Sequence, residues 1–160
     1  MKRLLSALIC LVLALCCTLS LIACDTTDTT TKAQTTEITL SSTYNIFTKT
    51  LTVYVVIDPA KGYAGIAAQL PFDSEHLTYK SHKTGLSDMV VNPSEDTIAF
   101  SYASTENVMK KTQILAVTFT YSNTPFDYEF TLKLTPENFV NADLEEQPFT
   151  VTNTSGSLTF

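Results

Sequence analysis

Alternation of apolar and polar residues is the dominant pattern of the chain from residue 37 onward, and it predicts β-strands. A period of two residues is typical of strands with one buried face. The most regular segments are residues 51–57, 66–72, 98–102 and 115–121. Shorter segments of the same kind are residues 37–40, 77–80, 89–91, 128–134, 149–152 and 157–160. No long segment has the 3.6-residue period of an amphipathic helix, and residues 104–111 are expected to form at most one helical turn.

Turn-forming residues separate these segments, at Lys61-Gly62, Asn92-Pro93-Ser94 and Asn123-Thr124-Pro125. Short strands divided by such turns are typical of a β-sandwich. The sequence therefore predicts one all-β domain over residues 37–160. One half of the alternating positions is expected to form its core, with these side chains inward: Ile66, Leu70, Ile98, Phe100, Leu115, Val117 and Phe119.

The N-terminal segment has the features of an export signal. Lys2 and Arg3 precede an unbroken run of apolar or small residues at positions 4–23. The run ends in Leu21-Ile22-Ala23-Cys24, which resembles the lipobox of bacterial lipoproteins, where the cysteine receives two acyl chains and the chain is cut before it. We interpret residues 1–23 as a lipoprotein signal peptide and Cys24 as the lipidation site. The alternative is a transmembrane anchor, since twenty apolar residues can span a bilayer.

A threonine-rich linker follows. Seven of the twelve residues at positions 25–36 are threonine, and the segment has too little hydrophobicity to offset the entropy of ordering it. Residues 24–36 are thus expected to be a lipidated cysteine and a tether that holds the domain outside the cell membrane, at the cell surface. All four cysteines lie within the first 24 residues, so residues 37–160 are expected to have neither a disulfide nor a thiolate metal site.

Charge and motifs exclude several classes of function. The chain has 16 acidic against 10 basic groups, which argues against nucleic acid as a partner. His76 and His82 have Asp73, Glu75 and Asp88 nearby in the sequence, but no metalloprotease, hydrolase or phosphate-loop motif accompanies them. We therefore expect both histidines in loops and no enzymatic activity. The acidic segment 143–146 lacks the twelve-residue loop of a specific calcium site.

Several segments resemble cohesin domains in the same chain order. They are Gly65-Ile66-Ala67-Ala68-Gln69-Leu70-Pro71-Phe72-Asp73, Leu77-Thr78-Tyr79, Val90-Val91-Asn92, Thr97–Ser104, Ile114–Phe119 and the closing stretch Asn138–Phe160. The resemblance implies a jelly-roll β-sandwich of about nine strands that binds a dockerin through one flat sheet face. In cellulosomes, cohesins hold enzymes on a scaffold or on the cell surface. No cofactor is expected, and calcium would enter only with the partner, because dockerin loops fold around it.

Short side chains at outward positions are the candidate partner-binding residues. They are Ala67, Gln69, Thr97, Ala99, Ser101, Ala116 and Thr118, with Asp88 and Asn92 at places comparable to the dockerin-binding stretch of the family. Such a flat face suits a protein partner because few long side chains lose entropy on burial. An ordinary solvated sheet face rich in threonine is the alternative interpretation.

The hypothesis is a lipid-anchored, non-catalytic surface module that recruits a protein, such as a dockerin-bearing one, in polysaccharide degradation or capture. Two other hypotheses stay open. One is direct carbohydrate binding, for which the chain has no tryptophan but has Tyr44, Tyr54, Tyr63 and Tyr128 as candidates for sugar stacking. The other is a structural surface lipoprotein with an unrelated partner.

Overall fold

The computed structural model describes residues 35–159. The predicted signal peptide, Cys24 and residues 25–34 of the predicted linker lie outside the described residues. Within them the chain forms eleven strands and one short 3₁₀ helix, Pro136–Asn138. The strands are β1 Thr36–Asn45, β2 Thr50–Asp58, β3 Tyr63–Pro71, β4 Leu77–Thr84, β5 Val90–Pro93, β6 Thr97–Val108, β7 Thr112–Tyr121, β8 Phe126–Phe130, β9 Phe139–Val140, β10 Phe149–Thr152 and β11 Thr154–Leu158.

The strands form two principal sheets. The five-stranded sheet has the order β10-β1-β2-β7-β4, and the four-stranded sheet has the order β5-β6-β3-β9. Strands β11 and β8 pair separately. The predicted all-β jelly-roll sandwich is confirmed, with eleven strands instead of about nine. One of the additional strands, β9, has only two residues, which is too short to produce a visible alternation.

The core lies between the sheets and consists of the inward half of each alternating strand. All seven side chains that the pattern places inward are buried, and they belong to one cluster with contributions from both principal sheets. Phe119 lies at an aromatic centre of this cluster, with ring centroids 4.8 Å from Phe72 and 5.6 Å from Phe130. Strand alternation therefore separates a buried face from a more exposed face in β1, β2 and β8, whereas β7 has four consecutive buried residues.

Three local predictions differ from the structure. The expected helical turn at residues 104–111 is wrong, because β6 continues to Val108, which pairs with Tyr63 across a bulged register. His82 lies in strand β4 and not in a loop, whereas His76 lies in the turn before that strand. Strand β1 begins at Thr36, one residue inside the predicted linker.

Thr36 is buried at the start of β1, and its amide and hydroxyl have hydrogen-bond partners far away in the chain. Its amide donates a hydrogen bond to the Pro148 carbonyl at 3.0 Å, and its hydroxyl accepts one from the Ala60 amide at 3.2 Å. Both bonds satisfy polar groups that burial would otherwise leave unpaired. The boundary between linker and domain is therefore set by long-range partners of Thr36.

Tyr63 is the one core side chain of residues 35–159 whose buried polar atom has no hydrogen-bond partner among them. The residue is fully buried at the start of β3, and its ring stacks on Phe139 with a centroid distance of 5.4 Å. Burial raises the pKa of the Tyr63 hydroxyl, so the group stays neutral at physiological pH. Its desolvation is a cost that the ring packing has to offset.

We expect the Tyr63→Phe variant to be more stable than the parent, by about 1 kcal/mol in the free energy of unfolding, because it removes an unpaired buried hydroxyl and keeps the ring. Urea unfolding followed by circular dichroism measures this difference. Tyr128→Phe is the matched control, since the Tyr128 hydroxyl has a partner in Ser42 Oγ at 3.1 Å and its removal should be destabilising. A Tyr63→Phe variant less stable than the parent would contradict the expectation.

Candidate functional site

A trough runs along the outer face of the four-stranded sheet. Short side chains of β3 and β6 form its floor, because residues directly opposite each other in a sheet share a face. The floor pairs are Gly65 with Ala103, Ala67 with Ser101, and Gln69 with Ala99. These residues leave the backbone of two neighbouring strands open to close approach.

The walls of the trough come from the two edges of the sheet. On one side, β5 places Val90 opposite Ser101 and Asn92 opposite Ala99. Lys133, Thr135, Asn138 and Val140 line the other side. The space consists of two adjoining depressions of about 470 and 410 Å³, which share Ala67, Val90, Ser101 and Asn138. The trough is therefore one continuous surface along the strand direction.

The second wall is held by backbone hydrogen bonds to β3. Gln69 and Lys133 exchange both amide-to-carbonyl bonds, at 3.0 and 2.8 Å. The 3₁₀ helix that follows begins with Pro136, and Asn138 donates from its side chain to Thr135 Oγ1 at 2.8 Å. Gly65 lets β9 lie close, because a Cβ at that position would be 2.8 Å from Val140 Cγ2.

Among the described residues, each of the two depressions is lined by charged side chains of one sign. Lys133 lies beside Gln69 at one end, and Asp88 and Glu137 line the depression around Gly65 at the other. The Glu137 backbone amide and the Thr135 hydroxyl lower the pKa of the Glu137 carboxyl, so it stays ionised at neutral pH. Between the ends, the lining side chains of the described residues are uncharged.

Six of the nine candidate residues predicted from the sequence line this trough: Ala67, Gln69, Asp88, Asn92, Ala99 and Ser101. Thr97 lies at the end of the same strand, opposite Pro71, and its hydroxyl bonds to the Asp96 carboxylate at 3.0 Å. Thr97 thus extends the face without lining either depression.

Ala116 and Thr118 do not belong to this face. They lie on β7 in the five-stranded sheet, where Ala116 pairs with Tyr54 and Thr118 with Thr52. The prediction of one face containing β3, β6 and β7 residues is therefore wrong. The physical reason is that β7 pairs with β2 and β4, so the side chains of Ala116 and Thr118 face away from the trough. Ala116 is moreover buried, and Thr118 is half-buried.

The four tyrosines do not form a sugar-stacking strip. Tyr63 and Tyr128 are buried in the core, whereas Tyr44 is exposed at the end of β1. Tyr54 is half-buried on the outer face of the five-stranded sheet, with its hydroxyl 3.3 Å from Thr43 Oγ1. The described residues thus offer no row of exposed aromatic rings at these positions.

Sequence reasoning missed several residues of the trough, namely Val90, Lys133, Thr135, Glu137, Asn138 and Val140. Val90 is 63% exposed although it lies in a strand, and an apolar residue in a very short edge strand was the available signal. Lys133 belongs to the predicted strand 128–134, of which only the first part forms β8, and the remaining residues lie in or beside the 3₁₀ helix and the two-residue β9, where no periodicity indicates a face.

The His76 region has a local structural role. His76 Nδ1 donates to Asp73 Oδ2 at 2.5 Å, and Asp73 Oδ1 accepts from the Glu75 amide at 2.9 Å. The His76 ring stacks on Phe126 with centroids 4.9 Å apart, at the end of the core. The hydrogen bond from His76 is the main cause that lowers the pKa of the Asp73 carboxyl. Ligand atoms of Asp73, Glu75 and His76 lie within 4.8 Å of one another, and internal hydrogen bonds of the turn account for this closeness.

The acidic segment 143–146 forms a self-contained turn around Asn141. Asn141 Oδ1 accepts hydrogen bonds from the backbone amides of Asp143 at 3.0 Å and Glu145 at 2.9 Å. The side-chain Nδ2 of Asn141 donates to Glu145 Oε2. The side chain of Asn141 thus orders this loop through hydrogen bonds within the chain.

Across residues 35–159, no helix reaches the length and hydrophobicity that a membrane crossing requires.

The comparison with known proteins identifies the fold of the domain through solved structures and not through the sequence. No family model and no curated protein matches the sequence. Among solved structures, a non-cellulosomal cohesin from the archaeon Archaeoglobus fulgidus superposes with a TM-score of 0.68 at 15% identity, over 79% of this chain and 92% of that one.

Two cohesin–dockerin complexes also match. The cohesin CaCohA2 of Clostridium acetobutylicum, in complex with CaDoc0917, has a TM-score of 0.67 at 15% identity over 78% of this chain and 100% of that one. The cohesin of the Coh-OlpA–Doc918 complex from Clostridium thermocellum has a TM-score of 0.65 at 16% identity, over 76% of this chain and 96% of that one. The strand order and these superpositions together identify the domain as cohesin-like in fold.

Proposed function

We propose that this chain is a non-catalytic binding module that takes a dockerin-type protein in the trough of the four-stranded sheet. The observation that carries the proposal is the continuous, uncharged floor of short side chains along β3 and β6. Two of the structurally similar cohesins are described in complex with dockerins, which supports a partner of that type.

The physical character of the trough suits protein binding. Its floor lies on two hydrogen-bonded strands, so little backbone entropy is lost when a partner docks. Alanine, serine and glycine side chains have few or no rotamers to immobilise, and Val90 supplies exposed apolar area at the rim. Asn92 and Asn138 provide amide groups that can orient a partner by hydrogen bonds.

The cellular setting belongs to the same proposal. A lipid on Cys24 and the threonine-rich linker would hold the domain outside the cell membrane, where a secreted partner could reach it. The recruited partner would supply the catalytic or capturing activity that this module lacks, and we propose that this activity serves polysaccharide degradation or capture. The support is the Leu21–Cys24 pattern together with the resemblance of residues 65–119 to cohesins.

Direct carbohydrate binding is not proposed as a second function. Two of the four tyrosines that would have stacked on sugar rings, Tyr63 and Tyr128, are buried. In the described lining of the trough, Phe100 and Tyr102 are the only aromatic residues. Phe100 is buried and Tyr102 is half-buried, so neither presents an open ring face.

The proposal is tested with the segment Ala33–Phe160, which forms one compact unit. Its binding to purified dockerin-bearing proteins of the same source organism is measured by calorimetry in calcium and again in EGTA. We expect a dissociation constant of micromolar or lower in calcium and loss of binding in chelator. Absence of binding to every such protein in calcium would overturn the proposal, and retention of the domain by a polysaccharide gel would then favour the carbohydrate hypothesis.

A further inference from the structure

The trough is electrically polarised along its length. Lys133 lines the depression that contains the Gln69–Ala99 pair, whereas Asp88 and Glu137 line the depression that contains the Gly65–Ala103 pair. All three charged side chains are exposed, and no ion pair involves any of them within residues 35–159. Their charges are therefore available to a bound molecule.

The dimensions of the trough suit one α-helix. Neighbouring strands are about 4.8 Å apart, so β5 and β9 are separated by about 14 Å across the sheet. An α-helix with its side chains is about 10–12 Å wide. An extended strand is a poorer fit, because the trough is a sheet face and its backbone hydrogen bonds are already made between β3, β6 and their neighbours.

The separation of the two charged ends corresponds to a defined length of helix. Gly65 and Gln69 are four residues apart on β3, which is about 13 Å along the strand. A helix rises about 1.5 Å per residue, so the ends of the trough lie about nine helical residues apart. This distance exceeds the Debye length of about 8 Å at physiological salt, and each end therefore acts on its own part of the partner.

We infer that Lys133 at one end and Asp88 with Glu137 at the other set the direction of the partner helix, which carries a carboxylate over Lys133 and a basic side chain over the two acids. This inference rests on the proposed function and adds the charge pattern of the partner. The opposite direction brings like charges together at both ends of the trough. Charge complementarity of this kind determines specificity and orientation more than affinity.

The test uses an 18-residue hydrocarbon-stapled helix with alanine and leucine on one face, a glutamate and a lysine eight positions apart so that both project from the same side about 12 Å apart, and a nitroxide next to the glutamate. It is added to the ¹⁵N-labelled segment Ala33–Phe160 without detergent, and paramagnetic broadening is read at the amides of Thr97 and Ala103. These residues lie toward opposite ends of the trough on β6. We expect at least about tenfold more of the bound helix with its nitroxide near Thr97, since an exposed ion pair contributes up to about fivefold and both ends discriminate.

The first control exchanges the glutamate and lysine of the peptide while the nitroxide keeps its position. The nitroxide is then beside the lysine, and broadening should be stronger at Ala103 than at Thr97. A peptide with glutamine at both positions should broaden the two amides equally. The triple variant Lys133→Glu, Asp88→Lys, Glu137→Lys should reverse the pattern of the original peptide.

The outcomes separate the inference from the proposed function. Equal broadening of Thr97 and Ala103 by the charged peptide would show that a helix binds in the trough without a fixed direction, which overturns the inference alone. No broadening of either amide by any of the peptides would overturn the trough as a helix site and the inference with it, while the dockerin titration in calcium still decides the proposed function independently.

Discussion

The Ser101→Arg variant should lose at least about 100-fold in affinity for a dockerin-type partner, which corresponds to about 2.7 kcal/mol. Ser101 is exposed at the centre of the trough, between Ala67 on β3 and Val90 on β5, and it lines both depressions. An arginine there would fill the space that the partner occupies, and its charge would have to be desolvated without a counter-charge in the trough floor. Calorimetric titration in calcium measures the change.

Ser41→Arg is the matched control for this substitution. Ser41 is also an exposed serine in a strand, but it lies on β1 opposite Tyr54, on the outer face of the five-stranded sheet. We expect the Ser41→Arg variant to bind the dockerin-type partner with the affinity of the parent, and we expect the two variants to unfold at similar temperatures. If Ser101→Arg binds as tightly as the parent while Ser41→Arg does not, the binding face is the five-stranded sheet, and the trough is not the site.

The main elements of the fold were predictable because one physical pattern dominates each long strand. In β2, Leu51, Val53, Val55 and Ile57 are all buried, whereas the residues between them reach solvent. A sandwich requires this arrangement of every strand that lies between a dry core and a wet surface. The period of two therefore indicates both the strands and the side of each strand that packs inward.

The neighbours of each strand could not be predicted in the same way. Ala116 and Ala99 have the same outward position in the pattern of their strands, yet they belong to different sheets of the sandwich. Alternation indicates whether a side chain faces the core or the solvent, but it does not indicate which sheet the strand joins. For this reason the predicted grouping of these positions on one face holds for β3 and β6 and fails for β7.

The walls of the trough were hidden from sequence reasoning for a different reason. Lys133 reaches its place through a pair of backbone hydrogen bonds to Gln69, 64 positions earlier in the chain. The alternation of residues 128–134 places Lys133 outward, but backbone hydrogen bonds depend little on side-chain identity, so the sequence does not indicate that Lys133 lies beside Gln69. The charged ends of the trough, and with them the expected orientation of a partner, become visible only in three dimensions.

Removing the ring of Phe119 should cost about 3–5 kcal/mol in the free energy of unfolding, as is typical when a fully buried phenylalanine is replaced by alanine. Phe119 on β7 is completely buried and packs against Phe72, which follows β3, and against Phe130 at the end of β8. The Phe119→Ala cavity would therefore weaken contacts among three elements that come from different sheets. Phe47→Ala provides the control, because Phe47 is 91% exposed and the same change there should stay within about 0.5 kcal/mol of the parent in urea unfolding. Equal stability losses for the two variants would contradict the aromatic centre as the principal contact between the sheets, whereas the expected difference would show that the Phe119 ring stabilises the packing of the four-stranded sheet, and with it the trough, on the five-stranded sheet.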